Sequence, residues 1–160
     1  MCFLNHRCIP VIPKTVNVNK STVSCIVGLD YGRRRIGVAI SDSEKKMALP
    51  FDVIVRKGSS YGFTRLQKLL EGRSIEYFVV GVPYRNDGTL GDTGREALDF
   101  SSSLEDFFNI KVQVFDESYT TFSAENSLRP HYNGRKIKRF VDAVAAQIML
   151  QSFLDDLNSL

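Results

Sequence analysis

Histidine is scarce in this chain: His6 and His131 are the only two. One sits in an irregular opening segment and the other in a polar stretch, so chemistry built on imidazole has little to draw on. The three cysteines, Cys2, Cys8 and Cys25, form no CxxC pair and have no histidine at metal-ligand spacing. That excludes a disulfide framework and a cysteine zinc site, and it fits a reducing compartment. No run approaches the roughly 20 apolar residues of a membrane span. Acids are absent from the first 29 residues, which carry Arg7, Lys14 and Lys20. Pro10 and Pro13 interrupt the only apolar patch there, so the segment is no signal peptide. It reads as an irregular extension over residues 1–22, and its basic composition leaves an organelle transit segment open. The expected location is otherwise the cytoplasm.

The remainder, 23–160, has the make-up of one soluble domain: the whole chain is 43% apolar and 24% charged, with a formal charge of +3. Basic residues cluster at Arg33-Arg34-Arg35, and again from Arg129 to Arg139, which holds five Lys/Arg and His131. Such clusters suit phosphate, although each alone is also ordinary solvated surface.

Apolar runs at Val23 to Asp30 and Tyr77 to Val82 read as strands buried on both faces. Ile36 to Ser41, Ala48 to Val55 and Lys111 to Phe115 read as further strands. Helical spacing covers Tyr61 to Leu70, Asp92 to Phe107 with Asp92 as its cap, Thr120 to Leu128, and Lys138 to Leu157. Asn86-Asp87-Gly88-Thr89 is a turn. The order predicts an α/β domain with a mixed five-stranded sheet: an antiparallel meander of three strands plus two parallel strands, with helices on both faces.

Asp142 is the conspicuous residue of the last helix. At about 100° per residue it shares an apolar face with Ala146, Met149 and Phe153, while Gln147, Gln151 and Asp155 fall on the opposite side. A carboxylate directed into a core must meet a cation or a basic side chain. Lys138 and Arg139 are the local candidates. Asp30 and Asp116-Glu117 end strands where sites of α/β sheets form. Three acids from two strands and one inward-facing helix position can thus converge. Clustered carboxylates are hard ligands for Mg²⁺ or Mn²⁺, and such ions do phosphodiester chemistry without histidine. Alternation sends Asp116 and Glu117 to opposite faces, and the apolar pattern around them does not choose between them. Each acid also has a plain alternative, as a turn former, a solvated strand end or an ion-pair partner. Asp92-Thr93-Gly94 and the glycines at 88, 91 and 94 fit neither an aspartic-protease dyad nor a nucleotide loop.

These residues resemble the YqgF/RuvX family. Gly28-Leu29-Asp30-Tyr31-Gly32, with Arg35-Ile36-Gly37-Val38-Ala39 and Ser41-Asp42, is similar to its opening motif. Val80-Gly81-Val82-Pro83 with Asp87-Gly88-Thr89, Asp116-Glu117 with Thr120-Thr121 and Ala124, and Val141-Asp142 with Ala145-Ala146 resemble the next three, in order. The resemblance implies an RNase H-like fold with the first strand central. It implies Asp30, Glu117 and Asp142 as catalytic metal ligands, favouring Glu117 while keeping Asp116 as a further candidate. It also implies a Mg²⁺- or Mn²⁺-dependent nuclease maturing the 5′ end of pre-16S ribosomal RNA. The alternative is a Holliday junction resolvase, which would favour a homodimer; a monomer or weak homodimer is expected. Arg33, Arg34, Arg35, Arg85, Lys136, Lys138 and Arg139 are the expected nucleic-acid contacts. Two positions depart from the family: Ser118 stands where an arginine is usual, and Arg85 where an asparagine is. An actin-like ATPase would need a second domain, and an inactive ribosome-assembly factor would not need all three acids.

Overall fold

A computed structural model describes residues 24–57, 61–117 and 135–159. The expected extension and the Thr120 to Leu128 helix lie outside the described residues. Five strands, β1 (Ser24–Tyr31), β2 (Arg35–Ser41), β3 (Ala48–Val55), β4 (Ser74–Val82) and β5 (Val112–Asp116), form one sheet of order β3-β2-β1-β4-β5. β1–β2 and β2–β3 are antiparallel, whereas β1–β4 and β4–β5 are parallel. This is the expected meander plus two crossover strands, with β1 at the centre. β4 starts earlier than its apolar run because Ser74 and Ile75 pair with Ser24 and Cys25. Pairing extends a strand beyond its buried part.

Helices α1 (Phe63–Leu69) and α2 (Asp92–Phe108) cover one face. Helix α3 (Arg135–Asn158) covers the other. Strand alternation divides the core accordingly. Val27, Leu29, Tyr31, Ile36, Val38, Phe78, Val80 and Val82 pack beneath α1 and α2 with Phe100 and Leu104. Ile26, Ala39 and Val79 pack beneath Ala146, Met149, Leu150 and Leu154 of α3. With both faces covered, β1 and β4 are apolar along nearly their whole length. Among the described residues, no helix is long and apolar enough to cross a membrane.

Two local expectations change. The cap of α2 is Gly91, without a side-chain hydrogen bond, and Asp92 lies in the first turn. There its charge still opposes the positive helix end. The glutamines of α3 do not face away from the sheet. Gln147 Nε2 donates to the Ala48 carbonyl (3.0 Å), and Gln151 both accepts from the Ala48 N–H (2.8 Å) and donates to the Lys46 carbonyl (2.9 Å). β3 is an edge strand, and these side chains satisfy backbone groups on its open side. Gln151→Ala is expected to lower stability by about 1–2 kcal/mol, the worth of two such hydrogen bonds. A urea titration in which the midpoint falls while the slope stays constant would show it.

Candidate active site

The site is built on one row across three strands. Asp30 of β1 is in register with Gly37 of β2 and with Gly81 of β4. Because Leu29 and Tyr31 point into the core beneath α2, Asp30 faces α3. Both glycines make room on that face. A Cβ on Gly37 would overlap the backbone carbonyl oxygen of Asp142 and lie 2.8 Å from its carbon. A Cβ on Gly81 would overlap the Glu117 carboxylate and lie 2.6 Å from Cδ. Glycine is required at 37, where the atoms met are helix backbone, whereas a Cβ at 81 would instead push the Glu117 side chain aside.

The structure thus answers what the apolar pattern left open. Glu117 lies over Gly81 on the Asp30 side. Asp116 pairs with Val82, whose side chain belongs to the opposite core, so alternation places Asp116 on the α2 face. Burial pushes the Glu117 carboxyl up to about 8, and the nearby charges of Asp30 and Asp116 add to the shift.

Asp142 meets a basic side chain, that of Arg35; the side chains of Lys138 and Arg139 lie outside the described residues. Arg35 Nε lies 2.5 Å from Asp142 Oδ2. The N–H is not aligned for a hydrogen bond, and Oδ2 is a buried oxygen with no hydrogen-bond partner. Arg35 belongs to β2, not to the turn. Its alternation with Gly37 and Ala39 directs it toward α3.

The other two arginines of the triplet have different surroundings. Arg33 pairs with Glu96 of α2 (Nη2 to Oε1 2.9 Å), while Arg34 is exposed. The turn between β1 and β2 is fixed from below. Arg56 Nη1 donates to the Tyr31 hydroxyl (2.7 Å) and to the Gly32 carbonyl (3.2 Å). Its guanidinium also lies over the Tyr31 and Tyr61 rings, 5.1 and 5.2 Å from their centroids. Gly32 is required here, since a Cβ would collide with the Arg35 carbonyl. Arg56, Glu96 and Tyr31 were not legible as supports, because their contacts join segments distant in sequence. Arg85 is exposed beside a tight turn in which Asp87 Oδ1 accepts from the Thr89 N–H and hydroxyl (2.9 and 2.6 Å). Lys136, Lys138 and Arg139 lie in the first turns of α3, where only the backbone is described.

Among the described residues, no three His, Cys, Asp or Glu side chains form a group that could hold a metal ion. Asp30 and Glu117 come together, and Asp142 is turned to Arg35. The donor chemistry nonetheless fits a hard divalent cation. Burial and the nearby charge of Asp30 raise the proton affinity of Glu117, and Asp142 has a buried oxygen lacking a hydrogen bond.

A mixed sheet of this order, with acids at the ends of β1 and β5 and on the covering helix, defines an RNase H-like fold. The Thermus thermophilus RuvC structure shares it, with a TM-score of 0.51 at 13% identity over 85% of this chain and 97% of that one. The chain belongs to the RuvX family, whose model, described as "Holliday junction resolvase", matches residues 24–156. A protein of Halothermothrix orenii is 38% identical over 136 residues, spanning 84% of this chain and 97% of the relative. One of Clostridium botulinum is 35% identical over 134 residues, spanning 83% and 98%. Both bear the name "Putative pre-16S rRNA nuclease".

Proposed function

We propose that this chain is a divalent-cation-dependent endonuclease that processes the 5′ side of the pre-16S ribosomal RNA, with Asp30, Glu117 and Asp142 as the ion ligands. One observation supports this reading above the others. Asp30 and Glu117 face each other over a floor of glycine backbone, and Asp142 is lowered toward the same floor where α3 sits on Gly37. The names of the relatives supply the substrate.

A bound divalent ion supplies charge stabilisation to the attacking and leaving oxygens of the phosphodiester. The chain's own residues do the rest. Asp30 presents a carboxylate fixed at the sheet centre. Glu117, which burial holds largely protonated at neutral pH, would release that proton to solvent in order to serve as a ligand. Arg34 and Arg35, with Lys136, Lys138 and Arg139, hold backbone phosphates, which raises affinity without reading sequence and makes binding salt-sensitive. Structured RNA is then selected by shape and 2′-hydroxyls. Asp116, on the other face, acts on the site through its charge on Glu117.

The description attached to the family favours a second reading, cutting of four-way DNA junctions. That reaction calls for a symmetric pair of sites and hence a dimer. The test offers end-labelled pre-16S RNA, a four-way DNA junction and single-stranded RNA to the wild type and to Asp142→Asn, with Mg²⁺ or Mn²⁺. Cutting of the RNA precursor that the variant loses is the expected result. Symmetric cutting of the junction alone would replace it with the second reading. Equal cutting by both proteins would remove Asp142 from the chemistry.

A further inference from the structure

We propose that Arg35 is the resident counter-ion of Asp142, a placeholder that neutralises this carboxylate in the ion-free protein and is displaced when a divalent cation binds. The inference rests on Asp142 being an ion ligand, as argued above, and adds a competitor for it.

The geometry of the pair carries the proposal. Asp142 Oδ2 is shut off from solvent, so water does not satisfy this oxygen and its compensation comes from within the protein. Arg35 Nε stands 2.5 Å away and supplies that charge, yet no aligned N–H reaches the oxygen. The carboxylate is therefore neutralised but incompletely satisfied. A divalent ion on Oδ2 would provide charge and a coordination bond together. The two partners differ in their freedom to separate. The Arg35 side chain is 38% exposed, against 22% for Asp142. Asp142 is also held by its helix, whose backbone rests directly on Gly37. The guanidinium is the partner with solvent to move into.

Displacement leaves a planar, permanently charged fork at the rim of the site. Such a group can hold two oxygens of one phosphate. The same arginine thus guards the carboxylate when the ion is absent and becomes available to substrate when it is present. It also explains why the described carboxylates do not already form a three-ligand group: the third is turned to its placeholder.

The experiment measures Mn²⁺ binding to the full chain by electron paramagnetic resonance, in the absence of nucleic acid. Wild type, Arg35→Gln, Arg35→Lys and Asp142→Asn are compared. Arg35→Gln is expected to bind Mn²⁺ about fivefold tighter, the factor a partly exposed ion pair withholds. General damage to the fold would weaken binding instead. If Arg35→Gln does not fold, Arg35→Lys decides. Its ammonium cannot use the Nε contact and is more readily hydrated, so tighter binding than wild type is again expected. Metal-free Arg35→Gln should melt below wild type, and saturating Mn²⁺ should close that gap. Unchanged or weaker affinity in both Arg35 variants, with wild-type binding still dependent on Asp142, would overturn the proposal and leave the ligand assignment standing. Mn²⁺ binding that Asp142→Asn does not reduce would overturn both.

Discussion

Gly37→Ala is expected to cost the fold about 3 kcal/mol, the upper end for an overpacked site and a large share of the about 5–15 kcal/mol that stabilises a domain. The added Cβ would overlap the carbonyl oxygen of Asp142, lie 2.8 Å from its carbon and come within 3.2 Å of the Ala146 Cβ. Neither side can yield cheaply. Gly37 belongs to β2, which is paired on both sides by β1 and β3. The colliding atoms are helix backbone, which no rotamer change removes. Relief requires lifting α3, and with it Met149, Leu150 and Leu154 from the core they complete. Urea denaturation against the wild type measures the loss. A difference within about 0.5 kcal/mol, the range of ordinary surface substitutions, would mean that α3 does not rest on Gly37.

Glu117→Gln is expected to act in the opposite direction on the ion-free protein at alkaline pH. The carboxyl titrates at about 8 in the fold, against an ordinary value of 4.5. Between those values the folded state holds a proton that the unfolded chain releases. Stability therefore falls as pH rises through this window and levels off above about 8. The amide has no proton to lose, so the variant's stability should be nearly flat over the same range. At pH 8 it should exceed the wild type by on the order of 2–4 kcal/mol, and near pH 5 the two should almost coincide. Denaturation in EDTA across this range tests it. Parallel curves would show that Glu117 is not pressed into the company of Asp30 and Asp116. With saturating Mn²⁺ the ranking should reverse, because the ionised carboxylate is then the form that is wanted.

Periodicity and apolar runs were enough to place all five described strands, the order of the meander and the inward aim of Asp142. Each is a local property or follows from short connections. What could not be read were the partners. Glu117 and Asp116 both follow apolar strand residues, and the choice between them is made by Gly81, a residue of the neighbouring strand that lacks a side chain. Lys138 and Arg139 are the basic neighbours of Asp142 in sequence, one turn away on the same helix. Arg35 is a neighbour in space only, because β2 runs directly beneath that helix. The glutamines of α3 were assigned to solvent since polarity alone cannot separate water from the open side of an edge strand. The ordered set of motifs carried the family.

The row of Gly37, Asp30 and Gly81 also has a mechanical side. Elsewhere in the sheet, neighbouring strands are locked by side chains that touch across the ladder. Along this row two of three positions have none, so the three strands are joined here by backbone hydrogen bonds and by whatever lies on top. The helix braces the Gly37 end and the Glu117 side chain lies across the other. Side-chain contacts between strands are thus sparse along the line on which the proposed ligands lie. Amide hydrogen exchange at Gly37 and Gly81 should accordingly register events above them, the seating of α3 and the charge state of Glu117, before the rest of the core responds.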